Sequence, residues 1–391
     1  MKSLTVFSLL LSFSLTGFSA PWDAAISTIQ KVGPEGKGNA EAARAHAELT
    51  AQSSDVILPI LTAMKDTGPI ADNWMRSAAE IVFEQAKEKK TDLPGADLKK
   101  FVRNTENAPR ARELAFELYE KVDAKDAASL VPGFSSDPNN ALRRRAVTLL
   151  IDQGKKLTTD GGKEEAATEV MIEALGAARD IDQIKSIAEH LQKELNREVD
   201  LPTHFGFLMR WHLLAPFTNI DRAGFDEAFP PEKEVDLKAS HSGKDGDIKW
   251  QEFASSDDYG MIDFNKPYSP LKEVTGFAYT EFNSGEARKA EIRLGCKNAW
   301  KVWLNGKLIF GRDEYHRGMR IDQYILPVDL EKGKNTILIK ACQDAQEQDW
   351  TVQWEFQMRI CDETGTAILS TDRLSTPKAE VKTGRRSGKG E

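Results

Sequence analysis

Trp300, Tyr315, His316, Arg317, Asp344 and Trp350 are the side chains whose types and spacing best fit recognition of a sugar. The apolar face of a pyranose stacks on an aromatic ring, while Asp, Arg and His bond its hydroxyls. Tyr315, His316 and Arg317 lie in a polar stretch with Arg312, Asp313 and Glu314, and a second polar stretch carries Asp344, Gln346 and Trp350. Trp300 and Trp303 precede both. Such residues meet only if the loops that carry them open at one end of a folded sheet. For Trp303 and Trp350, a place in the core is the competing reading, because indole is highly buried on average.

Other chemistries find less support. Asp245-Gly246-Asp247 offers oxygens to Ca²⁺, but the spacing and terminal Glu of an EF-hand loop are missing, so a solvated turn is expected. Asp257, Asp258 and Glu281 are the carboxylates to pose as a glycosidase pair, which needs two groups about 5–10 Å apart across a cleft. On a chain with 29% charged residues, surface positions are the simpler expectation. There is no Gly-x-Ser-x-Gly elbow, His-Glu-x-x-His pair or phosphate-cradling glycine loop. His46 and His190 have no partner at helical spacing. Cys296, Cys342 and Cys361 form no CxxC unit, so no zinc site is expected. Two readings of them stay open: one disulfide, in any of three pairings, or three apolar packers. No catalytic residue, metal or cofactor is expected.

The positioning elements are clearest around Lys301-Val-Trp-Leu-Asn-Gly-Lys-Leu-Ile-Phe310. Asn305-Gly306 between two β-branched and aromatic runs predicts a type I′ hairpin, whose central residues need φ > 0. Tyr324-Ile-Leu-Pro-Val-Asp-Leu330 and Thr336-Ile-Leu-Ile-Lys-Ala341 follow as strands around the turn at Glu331 to Asn335. In 351–361, Val352, Trp354, Phe356, Met358 and Ile360 alternate with other residues, predicting one buried and one wet face. From Val302 to Lys340 the chain resembles the jelly-roll, galactose-binding-like sandwich that accompanies secreted glycosidases, including the non-catalytic sugar-binding module of β-galactosidase-type enzymes. The resemblance implies an antiparallel sandwich with ligands at loop edges.

Before residue 200 the composition is helical. Met75-Arg76-x-x-Ala79-x-x-Val82, Ala111-Arg112-x-x-Ala115-x-x-Leu118 and Leu142-Arg143-x-x-Ala146-x-x-Leu149 share one register, with the arginines 36 and 31 residues apart. Pro69, Pro109 and Pro138 are expected to open these helices, with Asp137 as an N-cap. Segments 56–64, 98–102 and 127–131 are the expected preceding helices, and 164–178 and 181–195 two more. The pattern resembles HEAT-type repeats. The whole chain, through Trp211-His-Leu-Leu-Ala-Pro-Phe217, Gly224-Phe225-Asp226, Phe229-Pro-Pro-Glu-Lys-Glu234, Gly243-Lys-Asp-Gly246 and Trp250, resembles uncharacterised secreted proteins of environmental bacteria that pair helical repeats with such a sandwich.

Lys2, the apolar run Leu4 to Leu15 and the small residues Gly17, Ser19 and Ala20 predict a signal peptide over 1–19 and a periplasmic or extracellular protein. No further long apolar run follows, so no membrane span is expected. The net charge of −8 argues against binding nucleic acid. The expected plan is a helical HEAT-like domain over 20–198, a jelly-roll sandwich over 199–375 and a disordered basic tail over 376–391 with Lys378, Lys382, Arg385, Arg386 and Lys389. The expected function is that of an exported, non-catalytic binding or adaptor protein, with a glycan or envelope polymer on the sandwich and a protein partner on the repeats. A pure protein scaffold and a polysaccharide-active hydrolase are the alternatives.

Overall fold

The computed structural model describes residues 20–376. The leader expected over 1–19 and the tail beyond residue 376 lie outside the described residues. Helices fill the N-terminal half and antiparallel sheets the C-terminal half. The chain divides into two compact units between Leu149 and Leu150.

The first unit contains α1 (Asp23–Gln30), α2 (Asn39–Thr50), α3 (Ile57–Ala63), α4 (Pro69–Glu88), α5 (Gly95–Arg103), α6 (Pro109–Val122), α7 (Ala124–Leu130) and the start of α8 (Asn140–Thr159). Pro69 and Pro109 occupy the first turns of α4 and α6, where a missing N–H costs nothing. The shared register buries Met75, Ala79 and Val82, then Ala111, Ala115 and Leu118, then Leu142 and Ala146, in one core, while Leu149, the last position of the third copy, is exposed. The three register arginines differ in surroundings. Arg76 is half-exposed and paired with Glu80 and Glu117. Arg112 is buried, donating to both oxygens of Asp137 at 2.8 and 2.6 Å and to the carbonyl of Val102 at 2.8 Å. Arg143 donates to the Asp137 carbonyl at 2.5 Å. This engagement corrects the cap expected at α8. Asp137 serves Arg112, and Asn139 Oδ1 instead accepts from the Leu142 amide at 2.8 Å, with Pro138 outside the helix.

The second unit begins with the rest of α8, followed by α9 (Glu164–Ala177), α10 (Ile181–Lys193) and α11 (Leu201–Phe205). The close approach of α8 to α9 depends on Gly154, where a Cβ would fall 2.9 Å from Met171 Cγ. The strands follow: β1 (Arg210–Thr218), β2 (Ser240–Ser242), β3 (Asp247–Lys249), β4 (Gln251–Ala254), β5 (Met261–Asp263), β6 (Val274–Ser284), β7 (Arg288–Cys296), β8 (Ala299–Leu304), β9 (Lys307–Arg312), β10 (Tyr324–Leu330), β11 (Gly333–Gln343) and β12 (Glu355–Cys361). Two short helices interrupt them, α12 (Pro230–Lys233) and α13 (Asn265–Tyr268).

One sheet has the order β4-β1-β6-β11-β8-β9, the other β10-β7-β12-β5, and β2-β3 form a ribbon. The two larger sheets share one core, with Leu213, Ala278, Ile339 and Val302 from the first and Ile292, Leu294, Phe356, Met358 and Ile360 from the second. The outer face of the six-stranded sheet carries Leu214, Phe277, Tyr279, Trp303 and Leu338 under Phe229 and Trp250. There the fully buried Lys340 donates to Phe225 O at 3.1 Å, Glu227 O at 2.7 Å and Glu232 Oε1 at 2.8 Å. Asn305 and Gly306 turn between β8 and β9 at φ 51° and 75°, as the type I′ expectation requires.

The expected wet face of the last strand is buried. Gln357, Arg359 and Cys361 are covered as fully as Phe356 and Met358. Arg359 accounts for this: its Nε meets Asp322 Oδ1 at 2.7 Å, its Nη2 meets Asp322 Oδ2 at 2.5 Å, and its Nη1 donates to Phe205 O at 3.2 Å. Satisfied donors let a charged residue lie between layers. Arg179 after α9 donates to Thr366 Oγ1 at 2.8 Å, and Lys185 of α10 lies 4.5 Å from the Tyr259 ring centroid. These contacts place α9 and α10 in one unit with the sheets, whereas the sequence put the division at residue 198.

Candidate functional site

The ladder of β1, β6, β11 and β8 is antiparallel throughout. The C-terminal ends of β1 and β11 therefore meet the N-terminal starts of β6 and β8 at one end of the sheet, together with the β9–β10 loop. Four predicted residues gather there: Tyr315, His316, Asp344 and Trp350.

Asp344 follows β11 and is buried. Its Oδ1 accepts from His316 Nε2 at 2.6 Å and from the Gln346 amide at 3.1 Å, and its Oδ2 accepts from Arg222 Nη2 at 2.8 Å. Burial alone would raise its pKa. The bonds from His316, the Gln346 amide and Arg222 outweigh that and hold it below the usual carboxylate range. His316 takes a left-handed φ of 54° to make its bond. Arg222 also lies 4.6 Å from the Tyr315 ring centroid. The Tyr315 hydroxyl accepts from Asn219 Nδ2 at 3.2 Å, which also donates to Gln343 O at 2.9 Å. Burial raises the Tyr315 hydroxyl pKa, so it stays a neutral donor.

Trp350 is 60% exposed, far above the burial usual for indole. Its ring stands at right angles to that of His316, with centroids 5.8 Å apart. The loop beneath it is pinned by Lys272, whose Nζ donates to Gln346 O, to Thr351 O at 3.0 Å and to Thr351 Oγ1 at 3.1 Å. Thr351 is itself fully buried. The platform is thus an exposed indole on a pinned loop, beside a hydrogen-bonded row.

Two predicted residues are not part of this row. Trp300 lies within β8, 1% exposed, with its ring centroid 4.9 Å from that of Tyr324. This corrects the expectation of a ligand contact: the strand register turns Trp300 into the core between the sheets. Arg317 is exposed and pairs with Glu314 at 3.6 Å. Of the competing placements for Trp303 and Trp350, the core holds the first and the surface the second. Asn219, Arg222 and Lys272 are the residues missed. For Asn219 and Arg222 the signal was the turn-rich stretch Asn219 to Gly224 after a strand, in which Asp221 and Arg222 both adopt positive φ; Lys272 carried none.

Glu281 is on β6, accepting from Tyr279 at 2.9 Å and Lys334 at 3.1 Å. Asp257 Oδ1 accepts from the amides of Tyr259 at 2.9 Å and Met261 at 3.2 Å. Cys296, Cys342 and Cys361 are buried free thiols, which burial pushes up to about 12, 11 and 11. Among the described residues, no three His, Cys, Asp or Glu side chains cluster to hold a metal, and no helix is long and apolar enough to cross a membrane.

No protein-family model and no curated protein matches this chain. Solved structures with partial likeness include a family 35 carbohydrate-binding module from Clostridium thermocellum, 10% identical, aligned over 22% of this chain and 71% of its own at a TM-score of 0.18. A β-glucuronidase from Faecalibacterium prausnitzii aligns at 15% identity over 35% of this chain and 21% of its own, at a TM-score of 0.21. A Ruminococcus gnavus β-glucuronidase in complex with D-glucaro 1,5-lactone aligns at 11% identity over 40% and 28%, at 0.23.

Proposed function

We propose that this is an exported, non-catalytic carbohydrate-binding protein whose saccharide lies on Trp350 beside the Arg222, His316 and Asp344 row. The observation that carries the reading is the exposed indole held on a pinned loop. Ring stacking needs a presented apolar face, and a pre-ordered one loses little entropy on binding. Asp344 already accepts three bonds and is held ionised, which suits it to fixing the site better than to proton transfer. The two antiparallel sheets with loops gathered at one end agree with a jelly-roll reading. The buried register of α4, α6 and α8 supports reading the first unit as a HEAT-like array for a protein partner. Export to the periplasm or medium rests on the sequence of residues 2–20.

A single small site of this kind binds at about 10 μM to 1 mM. The full chain should be retarded by some neutral polysaccharide in affinity gels, and Trp350→Ala should abolish the retardation while leaving the melting temperature unchanged. No retardation across a broad panel, with proteins captured by the second unit instead, would replace this reading with a scaffold. Reducing sugar released by the pure protein would show it to be a hydrolase.

A further inference from the structure

A groove of about 590 Å³ opens on the outer face of the six-stranded sheet, where β4, β1 and β6 lie side by side. Its size is that of a small-molecule site. Glu252, His212 and Tyr279 stand in one cross-strand row on its floor. Arg210 lies two residues before His212, and Glu281 two after Tyr279, so both share that face. Leu237 and Leu374, both exposed apolar side chains, border it. The groove continues into a depression of about 200 Å³, lined also by Arg210 and Glu281 and by Arg373.

Arg373 is the unexplained group. Its Nη1 donates to Phe207 O at 2.9 Å. Its Nε and Nη2 are buried with no partner among the described residues. A guanidinium stays charged in a protein, and buried N–H groups of a cation left unbonded are costly. Asp200 acts on Arg373 only through its charge, its oxygens accepting from the Thr203 amide and hydroxyl and the Thr376 hydroxyl, and the other nearby carboxylates make no bond to it. Glu281 accepts from Tyr279 and Lys334 through Oε1, leaving Oε2 toward the groove's ligand, and Asp372 accepts from Asn283 at 2.5 Å and Ser370 at 2.5 Å. Arg210, whose Nη2 lies 3.4 Å from Ser375 O, lines both parts of the groove.

We infer that this groove is a second binding site, for a carboxylate-bearing saccharide. Its carboxylate sits on the Arg373 and Arg210 end. Its hydroxyls bond Glu252, His212 and Glu281, acceptors that a bare anion would not need. Its apolar face rests on Tyr279 and Leu374. The site is separate from the Trp350 platform and does not depend on it.

The full chain is run in affinity gels containing polygalacturonate, its fully methyl-esterified form, or poly-glutamate. Retardation by polygalacturonate alone is expected. Arg373→Gln should weaken it about tenfold or more, the worth of a charge-assisted bond. Arg210→Gln should weaken it too, which covers the case in which loss of the Phe207 contact unfolds the first variant. Equal retardation by acid and ester, or by poly-glutamate, would overturn the inference. So would retention that survives both variants but is lost when the basic residues 378–389 are neutralised, which would move the anion to the tail.

Discussion

Acidification should destabilise the second unit through His204. This residue of α11 lines a small cavity with Arg179, Phe205 and Arg359. Burial, then the charges of Arg179 and Arg359, push its imidazole down to about 4 from 6.5. The folded pKa is depressed, so between these values the unfolded chain binds the extra proton. The contribution of His204 is therefore intact above pH 6.5 and lost as pH falls toward 4. The pKa difference corresponds to about 3 kcal/mol, and partial solvent screening lowers the expected loss to about 2 kcal/mol. Asp322 and Asp362 nearby are held below the usual carboxylate range by their partners against the effect of burial, and so stay charged through this window. Urea unfolding followed by tryptophan fluorescence reads the right unit, because of the eight tryptophans only Trp22 and Trp74 precede residue 150. Wild type should lose about 2 kcal/mol more than His204→Gln between pH 7 and 4.5. Parallel stability curves for the two proteins would refute the assignment.

Gly306→Val forces a β-branched residue to φ 75° at a position where nothing lies within 4 Å, so only backbone strain acts. It should cost about 1–3 kcal/mol in urea unfolding of the second unit, and an unchanged midpoint would contradict the strained turn. Arg112→Leu leaves the Asp137 carboxylate buried without its cation and should cost about 3–5 kcal/mol, read by calorimetry as a lowered transition of the first unit. Adding Asp137→Leu should recover much of that loss. A double variant no more stable than the single one would show that packing, not the orphaned charge, sets the cost.

What was legible in the sequence had a local cause. Asn305-Gly306 announces positive φ without reference to the rest of the fold, and the stripes in α4 and α6 announce which face is buried. What was not legible depends on distant partners. Asp137 looks like a cap until Arg112, 25 residues earlier, takes its carboxylate. Gln357 and Arg359 look like a wet face until Asp322 and Phe205 O close over them. Trp300 and Trp350 are the same residue type, but the register of β8 turns the first into the core, while the second stands on a loop turn before β12. Arg222 carries no motif and becomes a site residue through a partner 122 positions away.

The same distinction bears on how the loop end and the outer face of this sheet would act. At the loop end, Arg222 and His316 both serve Asp344, and the Arg222 side chain is otherwise half-exposed to solvent. What remains to attract a ligand is the Trp350 ring, which favours an uncharged partner and should be little affected by salt. On the outer face the arrangement is reversed. The aromatic Tyr279 has its hydroxyl committed to Glu281, while the Arg373 guanidinium keeps donors unmet. An attraction built on that cation is weakened by ionic screening in the open groove, less so at its buried end. On the readings proposed above, the loop end would act through an exposed ring and the groove through the buried, unbonded donors of Arg373.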